Sequence, residues 1–225
     1  MKTYYPIFLD VEGKTCLVVG GGAVGTRKAL GLARANAKVR VVSPEFSSDL
    51  TVSTNKNISL EEKTFEPSDL ENVCMVFATT DSFELNAQIR DAARSKNILC
   101  NIASGTDKGD FILPSVVERD GLLLAVSTCG ASPALAKQLR RELEDRFGPE
   151  YGVLVTLLGN IRKKILAQDH DPEGHKQKFN ALLKHNLTGL IATNNTKDID
   201  IILSNLFGDG FSFNDLTASH YSQEL

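Results

Sequence analysis

Gly20, Gly22 and Gly25 stand in the run Gly20-Gly21-Gly22-Ala23-Val24-Gly25, which fits the spacing G-x-G-x-x-G. Chemically, that spacing suits a phosphate. The first glycine permits a tight turn, the second lets main chain approach a pyrophosphate, and the third lets a helix pack closely on a strand. Ala23 and Val24 then open a helix whose first N–H groups and positive dipole end favour an anion. The motif is weak by itself. Here it follows a β-rich apolar run, Thr15-Cys16-Leu17-Val18-Val19, and precedes residues of helical spacing, the context a dinucleotide site requires. A glycine-rich structural turn is the competing reading.

A dinucleotide also needs an acidic side chain about 20 residues further on, to hold the ribose hydroxyls. The second strand ends in Ser43-Pro44-Glu45, so these three are cofactor-side candidates. Glu45 has the spacing, although the proline before it can turn it to solvent. No arginine immediately follows to grip a 2′-phosphate, and Arg40 lies inside the strand, so NAD is expected rather than NADP. At the end of the fourth strand, Thr79 and Thr80 fit two roles equally well: bonding ribose, or capping the helix that begins near Ser82.

The elements that must position these residues alternate over the first 113 residues. Strand patterns at Thr15–Val19, Lys38–Val42 (stopped by Ser43-Pro44), Ile58–Phe65, Met75–Ala78 and Ile98–Cys100 are separated by helix patterns at 23–35 and 82–96. Continuous apolar strands between helices predict a parallel sheet covered on both faces, a Rossmann-like α/β fold. Strands are then expected at Phe111–Pro114 and Leu122–Ser127, with a helix at 133–147 that has a proline in its first turn. From 151 to about 207 the pattern is helical, with an apolar stripe at Leu154, Leu157, Leu158, Ile161 and Ile165 and another starting at Leu182, Leu183 and Leu187. Residues from Gly208 are polar, and the last ten read as a mobile tail. The expected organisation is a nucleotide-binding domain over 1–113, a small α+β segment over 114–149 and a helical domain over 150–225.

Composition removes other classes. With 225 residues, 42% hydrophobic and 24% charged, the chain can build a core. A net charge of −3 argues against a nucleic-acid or anionic-membrane binder. No apolar run approaches the roughly 20 residues of a membrane span. The opening Met1-Lys2-Thr3-Tyr4-Tyr5-Pro6 lacks signal-peptide character. Cys16, Cys74, Cys100 and Cys129 show no C-x-x-C pair and read as free thiols, three of them in strand-like stretches. A cytoplasmic location is the expectation. His170, His175, His185 and His220 match no metal-ligand spacing, so no metal site is expected.

Several runs in order resemble the siroheme synthase N-terminal family. They are Tyr5-Pro6-Ile7-Phe8-Leu9, Val18 to Lys28, Ala78-Thr79-Thr80-Asp81 with Asn86, Cys100-Asn101, Phe111 to Ser115, and Ser127-Thr128-Cys129-Gly130-Ala131-Ser132-Pro133. The resemblance covers about residues 4–147. It implies NAD-dependent oxidation of the tetrapyrrole precorrin-2 to sirohydrochlorin, in members that also insert ferrous iron a lyase step giving siroheme, and a homodimer paired through the segment at about 114–147. One position departs. The family's bifunctional members carry an aspartate three residues after the Cys-Asn pair, implied as a general base and in metal handling, and this chain has Ser104. Serine takes no proton at neutral pH without an activating base. The proton-handling candidates are therefore Ser104 and the nearby Asp107, with Asp110 on the same loop, each equally readable as part of a solvated turn. Dehydrogenation is expected; iron insertion stays open.

A substrate with eight carboxylates needs cations and donors. Lys137, Arg140 and Arg141 fall on one face of the helix from Pro133, and Thr128 and Ser132 precede it at its N-terminus. Interleaved Glu142, Glu144 and Asp145 make an ordinary solvated face an even alternative. The rival to turnover is an NAD(H)-sensing regulatory module, since the fingerprint serves both. No helix-turn-helix or tethered domain supports it.

Overall fold

A computed structural model describes residues 3–104, 109–168 and 171–221. The chain divides into two compact units, residues 1–113 and 114–225.

The first unit is a five-stranded parallel sheet in the order β3-β2-β1-β4-β5. Its strands are β1 (Thr15–Gly21), β2 (Lys38–Phe46), β3 (Ile58–Glu62), β4 (Met75–Ala78) and β5 (Leu99–Ile102). Helix α1 (Ala23–Arg34) joins β1 to β2, the short α2 (Ser48–Thr51) follows β2, and α3 (Phe83–Ser95) joins β4 to β5. Alternate residues of the central strands serve opposite faces. Cys16, Val18, Met75 and Phe77 pack with Ala29 and Ala33 of α1 on one side. Leu17, Val19, Val76 and Ala78 pack with Ile89 and Ala93 of α3 on the other. Strand order reverses between β1 and β4, which is where open α/β sheets form their ligand crevice, outside the carboxyl ends of the strands.

Two departures from the sequence-based expectation stand out here. Strand β2 does not stop at Ser43-Pro44 but runs to Phe46, with the register against β1 shifting between Val19 and Gly21. The proline costs no ladder bond because it sits where the ladder is already interrupted. The expected strand at Phe111–Pro114 is absent, and pairing begins at Ser115. Phe111 instead packs edge-on against Phe77, with ring centroids 5.5 Å apart.

In the second unit, β6 (Ser115–Arg119) and β7 (Leu122–Val126) form an antiparallel hairpin. Its turn is Asp120-Gly121, both at positive φ, as a tight two-residue hairpin demands. Helix α4 (Pro133–Arg146) lies on the hairpin. Helices α5 (Glu150–Gln168), α6 (Pro172–Leu182), α7 (Leu187–Ala192), α8 (Thr196–Phe207) and α9 (Phe213–Tyr221) surround a core of Leu157, Ile161, Leu182, Ile199 and Leu203. Leu182, Leu183 and Leu187 are not one stripe: α6 ends at Leu182, Leu183 is exposed, and Asn186 caps α7 by accepting from the Gly189 N–H at 3.2 Å. Nor do the last ten residues begin as a mobile tail, because α9 runs through Leu216 to Tyr221. Phe211, Phe213 and Leu216 are buried in the helical core, which explains why α9 is held. Among the described residues no helix is long and apolar enough to cross a membrane.

Candidate functional site

The β1–α1 junction is shaped by what a side chain would strike. Gly20 has φ +111°, and a Cβ there would lie 2.7 Å from the Thr79 carbonyl oxygen. A Cβ on Gly25 would lie 1.9 Å from the Gly20 carbonyl oxygen. Gly20 is thus required by backbone conformation and Gly25 by the closeness of α1 to the turn. Gly22 differs, because a Cβ there would meet nothing within 4 Å. It is the N-cap of α1, offers no side-chain cap, and no acidic residue follows in the first turn. Ala23 and Val24 are exposed beside it. The structure therefore leaves open space above uncapped amides at a positive helix end, and this fits a pyrophosphate.

Hydroxyl groups brace that junction. The Thr26 hydroxyl donates to the Gly22 carbonyl oxygen at 2.9 Å and lies 2.7 Å from the Ser47 Oγ, while the Ser47 N–H donates to the Gly21 carbonyl oxygen at 2.8 Å. The Thr26 proton being used, Ser47 is the donor between the two hydroxyls. Sequence patterning passed over both residues, since nothing in their spacing shows which hydroxyl will meet which carbonyl. Thr79 does not take the capping role. Buried at 9% exposure, it donates from Oγ1 to the Val19 carbonyl oxygen at 2.8 Å and also approaches that of Gly20 at 3.2 Å. It ties β4 to the glycine turn. The cap of α3 is Ser82, which accepts from the Leu85 N–H at 3.1 Å, so the capping role falls to neither threonine.

Along the same edge, Ser43 is buried while Pro44 and Glu45 are exposed, and the Glu45 main chain lies against Gly21. Arg40 is committed elsewhere. It donates to both carboxylate oxygens of Glu61, at 2.8 and 3.1 Å, and to the Asp69 carbonyl oxygen at 3.1 Å. The bond from Arg40 holds the Glu61 carboxyl below its usual range and raises the guanidinium in turn. A 2′-phosphate would have to break this pair to recruit the arginine.

Beyond β4, the buried Asn86 side chain joins Thr80 to Ser104. Its Oδ1 accepts from the Thr80 N–H at 3.2 Å and the Thr80 hydroxyl at 2.8 Å. Its Nδ2 donates to the Thr80 carbonyl oxygen at 2.8 Å and to the Ser104 Oγ at 3.1 Å. Asp110, read as a carboxylate that could swing inward, instead accepts from the Cys100 N–H at 2.9 Å. That bond fixes the end of its loop. Asp107 lies outside the described residues.

Gly20, Gly22, Ala23, Val24, Gly25, Ser43, Pro44, Glu45, Thr79, Thr80 and Ser104 thus belong to one strand edge of the first unit. The remaining candidates belong to the second unit. Thr128 and Ser132 turn their hydroxyls onto their own loop: the Ser132 N–H donates to the Thr128 Oγ1 at 3.0 Å, which donates to the Ser132 carbonyl oxygen at 3.0 Å. The Ser132 Oγ caps α4 by accepting from the Leu135 N–H at 3.2 Å. Arg140 is ion-paired with Glu144, whereas Lys137 is exposed.

Comparisons with known proteins agree with these elements. The model of an NAD(P)-binding family matches residues 7–115, and that of the sirohaem biosynthesis protein central family matches residues 119–146. A siroheme synthase from Pseudoalteromonas translucida is 32% identical over 195 residues, 86% of this chain and 41% of that protein. One from Nitrosococcus oceani is 39% identical over 163 residues, 72% of this chain and 35% of that protein. The chain therefore spans less than half the length of these curated relatives. Among solved structures, SirC, a precorrin-2 dehydrogenase, superposes with a TM-score of 0.64 at 27% identity, covering 84% of this chain and 89% of that one.

Proposed function

We propose that the chain is a member of the siroheme synthase N-terminal family and an NAD-dependent dehydrogenase oxidising precorrin-2 to sirohydrochlorin. The observation that carries this reading is the open, uncapped Gly22 at the strand-order reversal, in a chain that shares its fold with a precorrin-2 dehydrogenase over most of both lengths.

NAD, when bound, supplies the hydride acceptor. The residues do the rest by placement, and orientation is the main demand of a hydride transfer. Gly22 and the N–H groups of Ala23 and Val24 would hold the pyrophosphate. Gly20 and Gly25, with no room for a side chain, keep strand and helix close enough for that. Thr79 fixes the turn to β4. Glu45, exposed at the end of β2, is the acid available to the ribose, with Ser43 and Pro44 shaping its approach. Arg40, occupied by Glu61, is not free to hold a 2′-phosphate, which favours NAD over NADP. On α4, Lys137 is exposed and suits a substrate carboxylate better than Arg140, which Glu144 already engages. Thr128 and Ser132 act by shaping the turn before α4. Asp107 and Ser104 are the groups nearest in sequence to the family's proton-handling position.

Pairing of two chains belongs to the same proposal. Val116 and Leu123 on the hairpin and Leu135 on α4 are apolar and 42%, 44% and 46% exposed, which suits an element that buries them against a twin. Iron insertion is outside the proposal, because Ser104 replaces the carboxylate that a pyrrole proton would need.

The test is anaerobic incubation of precorrin-2 with NAD or NADP, following product absorbance. Enzyme-dependent conversion with NAD, and slower conversion with NADP, is expected. No conversion with either nucleotide would overturn the proposal. The same preparation given sirohydrochlorin and ferrous iron should form siroheme no faster than the buffer does.

A further inference from the structure

Asn86 is 1% exposed, and all its polar positions are used along an edge that the glycine junction does not need it to support. Its orientation follows from groups that have no choice. The Thr80 N–H can only donate, so the atom it meets is Oδ1; the Thr80 carbonyl can only accept, so the atom facing it is Nδ2. One Nδ2 hydrogen goes to that carbonyl. The other points to the Ser104 Oγ, 3.1 Å away, which must accept it.

A serine hydroxyl has one proton to give and lone pairs to receive. With Asn86 filling an acceptor position, the Ser104 hydroxyl keeps its own proton available to donate. Among the described residues Ser104 makes no second hydrogen bond that would consume this proton. An amide next to it cannot take the proton away, so nothing here activates Ser104 as a base. Ser104 follows β5, the strand beside β4 and on the side of the reversal away from β2. If the Gly22 end holds the pyrophosphate and the β2 end the first ribose, this edge serves the other half of the dinucleotide and the carbon it oxidises.

We propose that Asn86 holds Ser104 as a hydrogen-bond donor to an acceptor oxygen of the bound ligand, and that Ser104 is a ligand-orienting residue rather than a proton acceptor. The inference rests on the dehydrogenase reading above. An aspartate at this position would present acceptors in place of that donor, so the serine inverts the polarity offered to the ligand. The complementary chemistry is a carbonyl or carboxylate oxygen. The nicotinamide carboxamide and a carboxylate of the tetrapyrrole both supply one.

The experiment compares wild type, Ser104→Ala and Ser104→Thr in three measurements. Fluorescence titration with NADH gives Kd, steady-state turnover of precorrin-2 gives KM, kcat and the pH profile of kcat, and 15N NMR reports the Asn86 side-chain amide without ligand. Loss of one neutral hydrogen bond corresponds to about a five-fold weaker interaction. If the carboxamide is the acceptor, Ser104→Ala raises the NADH Kd by about that factor. If a tetrapyrrole carboxylate is the acceptor, it raises KM by about ten-fold at unchanged NADH Kd, since a charged acceptor binds more strongly. In both cases Ser104→Thr restores the wild-type value, the pH profile of kcat keeps its shape, and only Ser104→Ala shifts the Asn86 amide signal. Ser104→Ala that matches wild type in Kd and KM overturns the proposal. So does a changed pH profile, which would make Ser104 a proton-transfer group. A wild-type protein that binds no NADH would defeat the dehydrogenase reading, and an Asn86 signal indifferent to Ser104→Ala would separately defeat the bond on which this inference stands.

Discussion

Two turns in this molecule lead into helices, and they treat the helix N-terminus in opposite ways. Before α4, Ser132 caps with its own hydroxyl, Pro133 occupies the first helical position, and Thr128 closes the loop on itself. Before α1, Gly22 supplies no cap, no acid follows, and the space above is empty. Sequence spacing makes both look like anion cradles. The difference teaches that a helix end is a binding site when the chain has declined to satisfy it, and a structural joint when a side chain already has. Hydroxyls are plentiful around the glycine turn too, but Thr26, Ser47 and Thr79 spend themselves on carbonyls and on one another.

The contrast breaks most visibly at Gly25. Gly25→Ala forces a Cβ toward the Gly20 carbonyl, a main-chain atom that cannot move aside, so stability should fall by about 3 kcal/mol in urea denaturation. A loss under about 0.5 kcal/mol would mean the junction is not tightly packed. Next, the caps can be exchanged. Ser132→Ala should cost about 1 kcal/mol and leave the NADH Kd unchanged, because it removes a joint. Gly22→Ser should add a few tenths of a kcal/mol to the free protein by capping α1, while weakening NADH binding about ten-fold. A smaller effect sharpens the comparison through the cysteines. Burial beside Cys74 pushes the Cys16 thiol up to about 12, whereas Cys129, in the turn before α4, is exposed. Iodoacetamide at pH 8 should therefore modify Cys129 first, by intact mass, spare Cys16, and leave NADH affinity where it was. The same thiol gives a stability trend. With its folded value above the usual 9.0, its contribution is complete below pH 9 and declines as pH rises toward about 12.

What could be read from sequence was what sterics and periodicity dictate. Gly20, Gly22 and Gly25 were legible because a turn and a close helix admit one residue type. Strand β4 was legible because four consecutive apolar residues, Met75 to Ala78, serve a sheet covered on both faces. Partner choice was not legible. Thr79 read as a ribose ligand or a cap because residue type does not say which carbonyl lies opposite, here that of Val19, 60 residues away. Pro44 read as a strand terminator because propensity does not register a shift in pairing that makes its missing N–H harmless. Helix α9 was hidden because Gly208 and Gly210 dominate the local composition, while Phe211, Phe213 and Leu216 are buried in a core assembled from α5, α6, α7 and α8.

The claim on which the rest depends is that the empty space above Gly22 belongs to a dinucleotide's phosphates. Calorimetric titration of NADH into wild type and Gly22→Asp tests it directly, with thermal unfolding run on both. The open position predicts that Gly22→Asp folds with a Tm no lower than wild type and binds at least 100-fold more weakly, as a carboxylate that caps the helix end takes the phosphate's place. Equal affinities in two equally stable proteins would contradict it.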